Sequence, residues 1–294
     1  MKKLKTFALK KPLLFTLLIM TFALIFFYAP TEKLYLLFCD KQYATFLGEL
    51  TNKMAVSIIL IIVLIKFDLN KGIGLTTFPN RLKEWSIAWP LMIILMISLL
   101  SLIFGNVTID TSRPFMVTVY TLMNFFIGLS EELLVRGLIL GILLLKWGNT
   151  RKGIYLSVIV SSVIFGIAHL GNFIAMPSIL LATLSQVLYA IFIGIFFAAC
   201  VLRSKTIWPV IILHSTIDFF GQIQQIAVGG GIEAANKALA STSLLQALQP
   251  IAIYFMLASY AFFILKKVTP ADIQYKFSNN NKKNCSTDVV HEQL

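Results

Sequence analysis

The 294-residue chain is 58% apolar and only 13% charged, and its formal net charge is +12. Soluble domains carry about 25% charged residues, so this composition excludes an ordinary soluble protein and predicts an integral membrane protein. The basic excess is typical of membrane topology and of contact with anionic headgroups. Since no basic residues cluster on a soluble module, the expected partner is the lipid bilayer and not a nucleic acid.

The domain organisation expected from the sequence is simple. No polar linker is long enough to separate two domains, so we predict one membrane domain over residues 1–267 and a flexible polar cytoplasmic tail over residues 268–294. Cys39, Cys200 and Cys285 are scattered and odd in number. They predict neither a disulfide framework nor a zinc knuckle.

The N-terminus is basic and precedes an apolar run from Leu13 to Ala29. A signal peptide would give a similar pattern. However, the run is long, it ends in aromatic residues and Pro30, and no small-residue cleavage pattern follows it. These features favour a retained first transmembrane helix.

A spanning helix needs roughly 20 mostly apolar residues, and eight segments qualify as candidates. Glu49, Asn52 and Lys53 interrupt the second segment. The fourth segment is too long for a simple span, so we expect it to begin at the interface or to bend near Gly128. The predicted fold class is therefore all-α, a polytopic bundle of about eight transmembrane helices. The segments cover about residues 13–29, 45–65, 85–104, 115–145, 154–174, 178–202, 207–226 and 247–265.

The basic residues support this count. With the N-terminus inside, nineteen Lys and Arg fall on the inner side, five (Lys53 among them) fall on the outer side, and Arg136 is left within the membrane. Cytoplasmic loops are enriched in Lys and Arg. This distribution predicts a multi-pass plasma-membrane protein with both termini in the cytoplasm, and it fits a bacterial membrane.

The fourth segment carries three ionisable residues at membrane depth, where such groups are costly and usually face a protein interior. Glu132 and Arg136 are four residues apart, so they share a helix face and are expected to form a structural ion pair. Glu131 is rotated about 100° from Glu132. It is the carboxylate that Arg136 is expected to leave without a partner.

Two further segments carry polar residues at helical spacing. His169 follows Phe165 by four residues, and alone it could be a core histidine bonded to a backbone carbonyl. His214 and Asp218, also four apart, could form a structural hydrogen bond, a pair of metal ligands or a pair that stabilises an oxyanion. Because each group would be costly alone in lipid, we predict one polar cavity shared by the helices that carry them.

The three motifs Glu131-Glu132-x-x-x-Arg136, Phe165-x-x-x-His169 and His214-x-x-x-Asp218, in this order, resemble the CPBP family of intramembrane proteases. That family includes type II CAAX prenyl proteases and bacteriocin-processing (Abi) proteins. The resemblance covers a protease-like core of about residues 115–226. The family's third motif ends in Asn or another small polar residue, whereas this chain has Asp218.

The resemblance implies hydrolysis of a peptide bond in a membrane-embedded peptide or protein. Glu131 would activate a water molecule with the help of His169, and His214 with Asp218 would stabilise the tetrahedral oxyanion. These roles agree with what peptide hydrolysis requires. The supporting residues implied by the resemblance are Glu132, Arg136 and Phe165.

A metal is the main mechanistic alternative. The favoured interpretation requires no cofactor, and the HExxH motif of common zinc proteases is absent from the sequence. Zinc remains possible, because histidine and carboxylate side chains are its usual ligands. The zinc ligands would then be Glu131, His169, His214 and Asp218.

Two other functions would also place these residues in a membrane. A non-catalytic immunity or scaffold protein could keep the fold and bind a partner, although a pure binder has no need of a buried base. A proton-coupled transporter uses similar residues, but the sequence has no paired repeat halves.

Overall fold

The computed structural model describes residues 2–79, 82–105, 107–204 and 206–278. Within these ranges the chain is helical, and the only β pairing is an isolated antiparallel bridge between Ile109 and Ala227. Six helices are long and apolar enough to cross a membrane. The predicted all-α membrane bundle is confirmed.

Fifteen α-helices follow one another along the described chain. They are α1 (Lys2–Lys10), α2 (Pro12–Phe27), α3 (Glu32–Tyr35), α4 (Lys41–Lys66), α5 (Leu82–Trp85), α6 (Trp89–Phe104), α7 (Pro114–Glu132), α8 (Leu140–Trp147), α9 (Arg151–Ala168), α10 (Leu170–Ala175), α11 (Leu180–Arg203), α12 (Trp208–Gly221), α13 (Ile232–Ala240), α14 (Leu244–Leu265) and α15 (Pro270–Ser278). A π-helical segment, Leu133–Ile139, joins α7 to α8.

The predicted fourth and seventh spans are helical but are not among the six long apolar helices. The fourth is divided into α7, the π-helical segment and α8, and the polar residues Asn124, Ser130, Glu131 and Glu132 lower the apolarity of α7. The seventh, α12, has 14 residues and would extend only about 21 Å. Both helices carry residues of the predicted site.

The interior of the bundle is built around the π-helical segment, in which all seven residues are buried. α7 packs against α4 on one side and α12 on the other, while α11 packs against α9 and α14. A Cβ on Gly128 would overlap the hydroxyl of Ser215, so glycine allows α7 and α12 to approach closely. This contact brings the acidic end of α7 beside His214.

A short helix, α15, follows the last long helix and lies at the start of the segment predicted as a flexible tail. Ile273 and Phe277 on α15 are buried. The ammonium of Lys276 donates hydrogen bonds to three carbonyls at the end of α11, a favourable place for a cation. Those carbonyls belong to Val201, Leu202 and Ser204, at 3.0, 2.9 and 2.7 Å. Residues 279–294, including Cys285, lie outside the described residues.

Candidate active site

A buried ion pair lies where α7 passes into the π-helical segment. Arg136 Nη1 donates to Glu132 Oε1 at 2.9 Å, and the two side chains are 1% and 0% exposed. The guanidinium also lies 4.6 Å from the ring centroid of Phe165 and 5.4 Å from that of Phe197. The predicted pairing of Glu132 with Arg136 is therefore present, and it is enclosed by aromatic rings.

His214 lies directly against this pair. Its Nδ1 is 2.7 Å from Glu132 Oε1. A carboxylate only accepts hydrogen bonds, so Nδ1 carries the proton and donates it. Glu132 therefore fixes the orientation of the imidazole and directs Nε2 away from Arg136. No local spacing predicts this contact, because the two residues are 82 positions apart and meet only when α7 packs against α12.

The Nε2 atom of His214 faces two further carboxylates. It lies 3.8 Å from Glu131 Oε2 and 3.6 Å from Asp218 Oδ2. Both distances exceed a direct hydrogen bond. Asp218 Oδ2 is also buried and has no hydrogen-bond partner within the described residues. Glu131 and Asp218 thus face the same imidazole nitrogen.

Glu131 has a partner that the sequence analysis did not identify. Its Oε1 lies 3.7 Å from Lys53 Nζ on α4, and the side chains of Glu131 and Lys53 are 17% and 11% exposed. Arg136 pairs with Glu132 and leaves Glu131 free of that pairing, as predicted. Lys53, which the sequence placed at the outer end of a span, is a partner from another helix.

His169 lies at the junction of α9 and α10. Its Nδ1 donates to the carbonyl of Phe165 at 3.0 Å. This is the backbone hydrogen bond that the sequence analysis considered for a core histidine. The ring of Phe165 lies edge-on to both histidines, with centroids 4.8 Å from His169 and 6.0 Å from His214. His169 also interacts electrostatically with Glu131. Phe165 therefore packs between the two histidines of the site.

The zinc alternative finds little support in the arrangement of these side chains. In the part of the chain that the structure describes, no three His, Cys, Asp or Glu side chains are grouped so that they could hold a metal ion. We assign no step to a metal, because the four residues considered as zinc ligands are not grouped as a metal centre in this part of the chain.

Comparison with known proteins agrees with this site. No curated protein and no solved structure matches the chain significantly. Residues 113–220 match the model of one family, described as type II CAAX prenyl endopeptidase, Rce1-like. This range contains all the predicted site residues from Glu131 to Asp218, whereas Lys53 lies outside it. The match supports an intramembrane endopeptidase in general terms. Residues 113–220 therefore match an Rce1-like domain of the CAAX protease family, and this match confirms the resemblance seen in the three motifs.

Proposed function

We propose that this membrane protein is an endopeptidase in which Glu131 activates water with His169, and His214 with Asp218 stabilises the oxyanion. One observation carries the proposal: a single imidazole nitrogen, Nε2 of His214, lies 3.8 Å from Glu131 and 3.6 Å from Asp218. At these distances the imidazole and both carboxylates can contact the same reacting atoms, and neither carboxylate forms a tight hydrogen bond with Nε2. The family match over residues 113–220 supports the same class of reaction.

The proposed reaction begins with a water molecule beside Glu131. The carboxylate takes a proton from the water, and the oxygen attacks the carbonyl carbon of the scissile peptide bond. The electron pair of the carbonyl moves to its oxygen. When the tetrahedral intermediate collapses, the C–N bond breaks and the proton held by Glu131 passes to the leaving nitrogen. The products are a new carboxyl group and a new amine.

The oxyanion role sets a requirement on His214. Glu132 accepts a hydrogen bond from the proton on Nδ1, so Nε2 can donate to an oxyanion only when the imidazole carries protons on both nitrogens. Arg136 in turn balances the charge of Glu132. Glu132, Arg136 and Phe165 are therefore proposed to support the site by orienting His214 and His169.

We further propose a membrane-embedded peptide or protein as the substrate, consistent with the CAAX-type family match. The basic loops favour a bacterial plasma membrane with both termini in the cytoplasm. Processing of bacteriocin-like peptides belongs to the same proposal, since the motifs resemble those of bacteriocin-processing proteins.

Cleavage by the full-length protein in proteoliposomes tests this function. The probes are a farnesylated peptide ending in a CAAX sequence and the same peptide without the farnesyl group, with products identified by mass spectrometry. We expect cleavage at one defined peptide bond near the C-terminus, unaffected by a zinc chelator. If both probes stay uncut with enzyme in excess, a CAAX-type activity is contradicted.

Asp218 gives a prediction about the oxyanion pair. We propose that Asp218 donates to the oxyanion in its protonated form. Asp218→Asn introduces the residue typical of the family's motif, and its amide donates a hydrogen bond without needing that proton. We expect Asp218→Asn to keep or raise kcat, whereas Asp218→Leu should lower it by about 10²-fold because it removes the polar group. The measurement is kcat on the cleaved probe. Equal activity in the Leu variant would show that Asp218 has no part in the reaction.

A further inference from the structure

One lysine lies deep in the bundle, away from either end of its helix. Lys53 is the thirteenth residue of α4, which has 26 residues from Lys41 to Lys66. Each end of α4 is therefore about 18 Å away along the helix axis. An ammonium group at that depth is costly unless it faces a partner or a polar cavity, and such residues usually have a function.

The contacts of Lys53 identify its partners. Its Nζ lies 3.7 Å from Glu131 Oε1 and 3.6 Å from the ring centroid of Phe27, at the end of α2. The distance to Glu131 is longer than the 2.7–2.9 Å of a charge-assisted hydrogen bond. The ammonium thus attracts the carboxylate but does not form a tight hydrogen bond with it. Glu131 remains able to accept a hydrogen bond from water.

The residue directly before Lys53 is fixed by polar contacts with the segment between α2 and α3. Asn52 Nδ2 donates to the carbonyl of Ala29 at 2.8 Å, and Thr31 donates to Asn52 Oδ1 at 2.9 Å. Asn52 is buried, with 7% exposure. Because this residue is anchored, the backbone of Lys53 is held at a defined position relative to α7.

Glu131 is consequently held from two sides. Its Oε1 faces Lys53 on α4, and its Oε2 faces His214 on α12. Neither contact alone would fix the plane of the carboxylate. We propose that Lys53 is a positioning residue for Glu131, so that the site extends beyond residues 113–220 onto α4. This inference rests on the proposed role of Glu131 as the base.

The kinetic test uses the full-length protein in proteoliposomes with the farnesylated CAAX peptide as the probe. We expect Lys53→Met to lower kcat by about 10- to 100-fold, because the base is misplaced, with little change in KM. Lys53→Arg keeps the charge and should recover most of the loss. A purely structural role would not give this separation of kcat from KM together with rescue by Arg.

A matched control lies on the same helix. Lys41 pairs with Glu233 at 3.4 Å, and those side chains are 75% and 88% exposed. Lys41→Met removes the same group from the surface and should leave kcat unchanged. If Lys53→Met cleaves like the wild type while Glu131→Gln does not, the positioning role is overturned and the proposed function stands. If Glu131→Gln cleaves normally, the proposed function itself fails.

A second measurement needs no substrate. Lys53→Met should lower the thermal unfolding midpoint by about 2–4 °C, because it leaves the carboxylate of Glu131 without its ion-pair partner. The double variant with Glu131→Gln should regain that loss. Additive effects of the two substitutions would show that Lys53 and Glu131 are not coupled, and would overturn the inference even if no peptide were cleaved.

Discussion

Replacing Arg136 with Met is expected to destabilise the protein by about 3–5 kcal/mol, because it leaves the buried carboxylate of Glu132 without its cation. The side chain of Arg136 is 1% exposed and that of Glu132 is 0% exposed. The substitution also removes the stacking of the guanidinium on Phe165 and Phe197. The free energy of unfolding can be measured by denaturation in mixed micelles.

Two variants control this measurement. Arg113 forms a more exposed pair with Asp110 at 2.8 Å, and Arg113→Met should cost far less stability than Arg136→Met. The double variant Arg136→Met with Glu132→Gln keeps an acceptor for His214 and removes the buried charge, so it should recover much of the loss. If Arg136→Met lowers the free energy of unfolding by no more than Arg113→Met does, the Glu132–Arg136 pair does not support the site as proposed.

Local spacing was enough to predict the contacts within single helices. Glu132 with Arg136 and His214 with Asp218 are both four residues apart, and a helix of 3.6 residues per turn places such pairs on one face. The membrane class also followed directly from composition, because a chain with so few charges must bury its apolar surface in lipid. The contact of His169 with the Phe165 carbonyl was among the possibilities that the sequence left open.

Contacts between different helices could not be predicted from the sequence. The bond from His214 to Glu132 depends on how closely α12 packs against α7, which Gly128 permits. The contact of Lys53 with Glu131 depends on the packing of α4 against α7. Since Lys53 interrupts an apolar run, it was assigned to the end of a span, and its partner lies on another helix.

The same limit explains the count of spans. Polar side chains that serve the site reduce the apolarity of α7, and α12 is short, so these helices differ from the long apolar ones. A hydropathy pattern locates the helices that face lipid. α7 and α12, which carry Glu131, His214 and Asp218, pack against each other and are more polar or shorter than those helices.

We propose Glu131 as the base that activates water, and Glu131→Gln tests this role most directly. Gln keeps the size of the side chain and cannot take up a proton, so kcat should fall by about 10²- to 10⁴-fold. Glu233→Gln makes the same substitution at an exposed glutamate and should cleave like the wild type. Both proteins are compared at equal reconstituted amounts, with the farnesylated peptide in single-turnover cleavage. We expect Glu131→Gln to stay folded and to lose cleavage. A folded Glu131→Gln protein that cuts the same bond within about threefold of the wild-type rate would contradict this role.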